Sequence, residues 1–174
     1  DPAGGGTVTP AGETWHTAGA VVDVTAEAAG GWYFSAWTGD LAGDTTPKAL
    51  TMDAPKTVTA EFAQHPVITI QTDVPGTKVT VDGTEHDSPV TFDTWRDGEE
   101  HTISVPEPQE AGGTRYAFES WSDGGEKTHT VTVTAGQTET FTAALTATHY
   151  RLTAEADPAG GGTVTPAGET WHTA

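Results

Sequence analysis

The chain of 174 residues contains no cysteine and no asparagine. Without cysteine no disulfide can staple the fold, so outside a cell it has to rest on packed cores alone. Without asparagine, neither N-linked glycosylation nor a Lys–Asn isopeptide crosslink can form within these residues. Basic side chains are scarce: 7 Lys and Arg face 25 Asp and Glu, for a formal net charge of -18. Nucleic acid and anionic lipid both demand a positive surface that releases counterions, so both partner classes are excluded. No apolar run approaches the roughly 18 residues of a membrane span, so membrane insertion is not expected in this segment, and the stretch carries no signal peptide or sorting motif. Helical periodicity is missing too, since apolar residues nowhere recur at i, i+3, i+4 and i+7 over three turns.

What is present points to β structure. Threonine fills about a fifth of the chain, glycine and proline number 21 and 11, and TVTV, VVDVT, KVTV and TISV are β-branched runs. The acidity reads most simply as a solvated β surface that keeps crowded units soluble and discourages edge-to-edge pairing, with cation binding or a saline habitat as the alternatives. Above all, residues 1–18, DPAGGGTVTPAGETWHTA, return letter for letter as residues 157–174, which sets a period of 156 residues. A hairpin tolerates many sequences, so identity of this length is the mark of a recently duplicated tandem array. Such an array works by length, spacing or multiplicity more than by one unique pocket.

A weaker repeat lies inside the period. Trp32, Phe34 and Trp37 in GWYFSAWTGD recur as Tyr116, Phe118 and Trp121 in RYAFESWSDG, with the spacing i, i+2, i+5 retained. Alternating closing strands follow each, ending on Phe62 in one half and running through Phe141 in the other. These eight aromatics are the expected core, and the i+5 step, which breaks alternation, predicts a bulge or turn between each Phe and its Trp. The expected fold is all-β, with two small antiparallel β-sandwich-like modules per 156-residue repeat. The boundaries fall at 1–64 for the first module, 65–147 for the second and 148–174 for the start of the next copy. YRLTAEA at 150–156 reads as the opening strand of that next copy, so the module beginning at Asp1 is expected to lack its own.

The run GGGTVTP, then WYFSAWTGD, then ALTMDAPKTVTAEF resembles the divergent internalin B-type repeat of bacterial secreted and surface proteins over residues 1–63. The second half is similar to a PEGA-like β module in TDVPGTKVTVDG and HTISVP, and to companion modules of such repeats in SWSDGG. The resemblance implies a secreted or cell-surface bacterial setting and brings no catalytic residues with it.

Candidate sites are few. The five serines lie in no Gly-x-Ser-x-Gly elbow and there is no thiol, so no enzyme is expected and no catalytic residue is assigned. The seven histidines lack the spacing of a zinc site. Asp40 and Asp44 in TGDLAGD are the candidates for a calcium ion, which takes hard oxygen ligands from irregular loops, although Asp and Gly there are also ordinary turn formers; no other cofactor is implied. Trp15, its copy Trp171, and Trp95 sit in polar strings, where an indole either packs on its own or a neighbouring module or stacks on a sugar.

The function expected is a structural tandem-repeat segment of a bacterial extracellular stalk, fibre or surface protein, acting as spacer or filament body. Its partners are then neighbouring repeats of the same chain or array. The alternative is a glycan-binding or adhesive module that reaches a sugar or another cell-surface ligand through avidity. A third arrangement, a filament of copies joined by strand exchange, follows from the displaced opening strand.

Overall fold

The computed structural model describes residues 4–157 and 161–174, so the two copies of the repeated segment are seen from Gly4 and from Gly161 onward, together with Asp157. Among the described residues there is no helix, and the all-β expectation holds. The chain divides into two compact units. One runs to Val67 and includes Asp93–Glu99 and Val133–Thr138; the other takes Ile68–Phe92, Glu100–Thr132 and the chain from Glu139 onward.

Five strands build the first unit: β1 (Gly6–Thr9), β2 (Val21–Ala28), β3 (Trp32–Gly39), β4 (Lys48–Thr51) and β5 (Val58–Gln64). They form two antiparallel sheets, β1-β2-β4 and β3-β5. Alternation decides the facing in β2, where Val24 and Ala26 point inward while Asp23 and Glu27 stay in water. With Leu50 they meet Trp37, Leu41 and Ala60 to make the core. The glycine that opens β1 answers a close approach, because a Cβ on Gly6 would stand 2.5 Å from the Phe62 ring and 2.4 Å from the Glu27 carbonyl oxygen.

The later segments of this unit gather around Tyr33 and His65. Tyr33 Oη accepts from the Asp97 amide at 3.0 Å, the Arg96 guanidinium lies 5.2 Å from the centre of the Tyr33 ring, and His65 Nδ1 donates to the Trp95 carbonyl at 2.7 Å. The Gly136 amide donates to the Gln64 carbonyl at 3.0 Å. Nothing in the local alternation of Asp93–Glu99 or Val133–Thr138 announces these partners, which lie tens of residues away.

The second unit contains β6 (Val67–Thr72), β7 (Lys78–Val81), β8 (Thr84–Asp87), β9 (Val90–Phe92), β10 (Glu100–Ser104), β11 (Gln109–Ala111), β12 (Thr114–Trp121), β13 (Thr128–Thr132), β14 (Thr138–Ala154) and β15 (Gly168–Thr173). One sheet has the order β13-β10-β7-β8; the other runs β11-β12-β14-β6-β9, with β15 on the extension of β14. Val79, Val81 and Ile103 are buried from the first sheet and Ile68, Ile70 and Ala143 from the second. A two-residue Asp82-Gly83 turn joins β7 to β8, both residues having the positive φ (49° and 79°) that matches the strand twist.

The internal repeat is visible in the pairing. β3 pairs with β5 through Phe34↔Phe62 and Trp37↔Ala60, and β12 pairs with β14 through Phe118↔Leu145 and Trp121↔Ala143. Each pair carries a register shift between the Phe and the Trp, as the i+5 spacing predicts. Each Trp is buried with its indole N–H donating to a turn carbonyl: Trp37 to Thr45 at 3.0 Å, Trp121 to Lys127 at 3.1 Å. Of the other expected core aromatics, Phe141 is buried, whereas Trp32, Phe34, Phe62, Tyr116 and Phe118 are half-buried. The bulge sends the two phenylalanines onto the flank of their tryptophans, with ring centroids 5.1 Å apart in the first unit and 6.1 Å in the second.

Candidate functional site: an open apolar groove in the first unit

The two sheets of the first unit do not close on one another along β5. Between them runs a groove of about 980 Å³, with Val22, Val24, Leu50 and Met52 on one side and Val58 and Phe62 on the other. Its walls are the inward faces of β2, β4 and β5, the residues that alternation assigns to a core. Val58 and Phe62 stay half-exposed because, among the described residues, β5 has β3 on one edge and no strand on the other.

The rim is polar on one side and aromatic on the other. Lys56 Nζ lies 2.7 Å from Asp53 and 3.9 Å from Asp40. The hydrogen bond from Lys56, reinforced by its charge, holds the Asp53 carboxyl below its ordinary range, and the same bond raises the Lys56 ammonium above its own. Across the groove, residues 12–16 form an extended loop in which Thr14 Oγ1 and His16 Nε2 are 2.8 Å apart and Trp15 is 101% exposed.

The calcium candidates have other engagements. Asp40 Oδ2 accepts from the Thr57 amide at 2.6 Å, tying the turn after β3 to the start of β5, while Asp44 is exposed in the turn after Leu41. Among the described residues, no three His, Cys, Asp or Glu side chains cluster to hold a metal ion. The tryptophan candidates diverge. Trp95 is buried, which leaves no indole face for a sugar; Trp171 lies on β15 with the Arg115 guanidinium 4.1 Å from its ring centre; Trp15 alone stands clear.

Two histidine–carboxylate pairs escape a reading by short spacing because their partners sit 19 and 6 residues apart. His101 Nδ1 is 2.7 Å from Asp82 Oδ2, and this hydrogen bond, with one from the Thr102 amide, holds the Asp82 carboxyl below its ordinary range. His129 Nε2 is 2.9 Å from Asp123 Oδ2. Partial burial works against ionisation of Asp123, but the Gly125 amide and His129 outweigh it and the carboxyl is lowered. Both pairs brace turns. The groove offers a wall of aliphatic and aromatic carbon beside an edge of β5 that, among the described residues, carries no strand.

Residues 1–66 match the family model of the divergent InlB B-repeat domain. No curated protein and no solved structure matches the chain.

Proposed function

We propose that this chain is a structural tandem-repeat segment of a bacterial extracellular stalk, fibre or surface protein, in which whole periods act as spacer or filament body. The observation that carries the reading is the exact return of 18 residues one 156-residue period later. Identical surfaces at a fixed interval change reach in proportion to copy number while local chemistry stays constant. The B-repeat likeness of residues 1–66 supports a bacterial surface setting, and together with the all-β architecture it points to a non-catalytic module. Calcium plays no part in this reading. Chains of one, two and three periods, imaged by electron microscopy, should lengthen by an equal increment per period. An increment that vanishes after the first period would refute the spacer role.

One observation favours a second reading, a glycan-binding or adhesive repeat: the full exposure of Trp15. Under it, a three-period chain binds a sugar array far better than a single period, and Trp15→Ala abolishes the signal. Unchanged array binding in that variant would dismiss it.

A further inference from the structure

The strand that opens the second unit and the strand that closes its main sheet lie side by side. β6 and β14 are hydrogen-bonded neighbours in the order β12-β14-β6-β9. Their relative direction follows from the bonds at the two ends of the contact. The Val67 amide donates to the Gln137 carbonyl at 2.8 Å, and the Asp73 amide donates to the Ala143 carbonyl at 2.9 Å. The step forward from 67 to 73 is thus matched by a step forward from 137 to 143, so β6 and β14 run parallel. Their other neighbours do not: β14 meets β12, and β6 meets β9, in antiparallel pairs.

Side chains follow the same register. On the outer face Gln71 Nε2 donates to Thr142 Oγ1 at 3.1 Å, across a separation of 71 residues in the chain. On the inner face that offset sets Ile70 opposite Phe141 and Thr72 opposite Ala143, and all four are buried. Past the end of β6 the ladder gains a further rung, because Asp73 Oδ1 accepts from the Leu145 amide at 3.0 Å. β14 then carries on to Ala154 without a glycine or proline to interrupt it.

We infer that β6 and β14 form a mechanical clamp, and that the second unit bears tension applied along the chain. The inference rests on the spacer reading, since a segment that holds two points apart transmits the pull between them. The chain enters this sheet at the start of β6 and leaves it along the far end of β14. In parallel strands those two points lie at opposite ends of the shared ladder, so a pull on the chain slides one strand against the other. All the rungs then take load together, and the wholly buried Ile68 and Ale70 must shift across their neighbours before any rung is relieved. Had the two strands run antiparallel, entry and exit would lie at one end and the ladder would open rung by rung. Forced unfolding is governed by the barrier along the loaded path and not by equilibrium stability, so the resistance of this unit depends on the direction of pull. Asp73 holds the end of the ladder farthest from the entry point, and its carboxylate can be removed without disturbing the apolar core.

The test is single-molecule force spectroscopy on the 174-residue chain, which has no cysteine of its own, so that cysteine handles attach only where they are placed. Handles at Gln64→Cys and Thr153→Cys, both exposed positions, load β6 and β14 along their length. Handles at Gln64→Cys and the exposed Thr138→Cys open the same ladder from one end. At equal loading rate the lengthwise pull should need at least about twice the force of the peeling pull to unfold the second unit. Asp73→Ala should lower the lengthwise force and leave the peeling force unchanged, because peeling begins at the other end of the ladder. Equal forces in the two directions overturn the inference. So does an Asp73→Ala chain that folds and keeps the lengthwise force of the parent. Spacer and clamp fail separately: the first is read from particle length per period, the second from the ratio of the two forces.

Discussion

Trp37 and Trp121 are the residues on which each unit turns, being large, buried and hydrogen-bonded through the indole N–H. Their replacement by alanine should cost about 3–5 kcal/mol, enough to unfold a module of this size, whereas Phe34→Ala, on a half-buried ring, should cost about 2 kcal/mol. Urea denaturation that ranked Phe34 above Trp37 would contradict this order. The importance of these side chains is legible from i, i+2, i+5 spacing alone. Their unequal burial is not, because it depends on how the bulge rotates the strand. A second residue-scale prediction concerns acid. Asp82 has its folded pKa lowered by His101, so its contribution is present above the unfolded carboxylate range near pH 4 and is lost as pH falls through the folded value. Asp82→Asn suits the positive φ of 49° while removing the charge, and should flatten the stability profile of the second unit on the acid side of about pH 4. An acid limb as steep as the parent's in thermal melts would show the pair to be idle.

At the scale of elements, alternation and turn chemistry make most of the strands readable. VVDVTAEA turns Val22, Val24 and Ala26 inward and KVTV turns Val79 and Val81 inward, as period two demands, and the stretch Gln137–Ala156, free of Gly and Pro, becomes the longest strand among the described residues, β14. β8 is hidden because TEHD is polar throughout; it exists through the Asp82-Gly83 hairpin that returns it against β7. The loops Asp93–Glu99 and Val133–Thr138 are illegible for another reason, since their place in the first unit is set by Tyr33, Gln64 and His65 and not by their own pattern. The sharpest case is GETWHT, loop in one copy and strand in the other, whose state is a property of its neighbour and cannot be read from its own letters. The turn after β3 carries the element-scale prediction. Gly39 has φ +87° and its missing Cβ would stand 2.3 Å from the Thr57 carbonyl oxygen, which accepts from the Asp40 amide at 2.8 Å. Gly39→Ala must therefore move β3 away from β5, and should destabilise the first unit by about 1–3 kcal/mol while Gly12→Ala, with nothing near its Cβ, costs less. Equal melting temperatures for the two variants would show that the approach of Gly39 to Thr57 is not a constraint.

For the whole molecule the 156-residue period is decisive. A net charge of -18 over 174 residues repels identical units in solution and leaves their association to a geometry that buries apolar carbon in compensation. Register is then the quantity that matters. Each period carries both a groove in its first unit and, near its end, the strand HYRLTA that matches it, so removing 156 residues preserves every adjacency while removing 78 brings together ends that do not correspond. In a longer array of this repeat, deletion of one whole period should leave the melting temperature of the remaining units unchanged and shorten the particle by one increment. Deletion of half a period should leave one first unit without its matching strand, adding a second, lower-temperature transition in calorimetry and renewed hydrogen exchange at the positions equivalent to 12–17. The contrast separates two origins of function. If chain length alone mattered, the two deletions would differ only in the distance spanned; if complementarity between successive periods matters, only the out-of-register deletion loosens the fold. Identical single transitions in both deletions would show that each unit is stable without its neighbour's strand, and that the repeat supplies distance and nothing else.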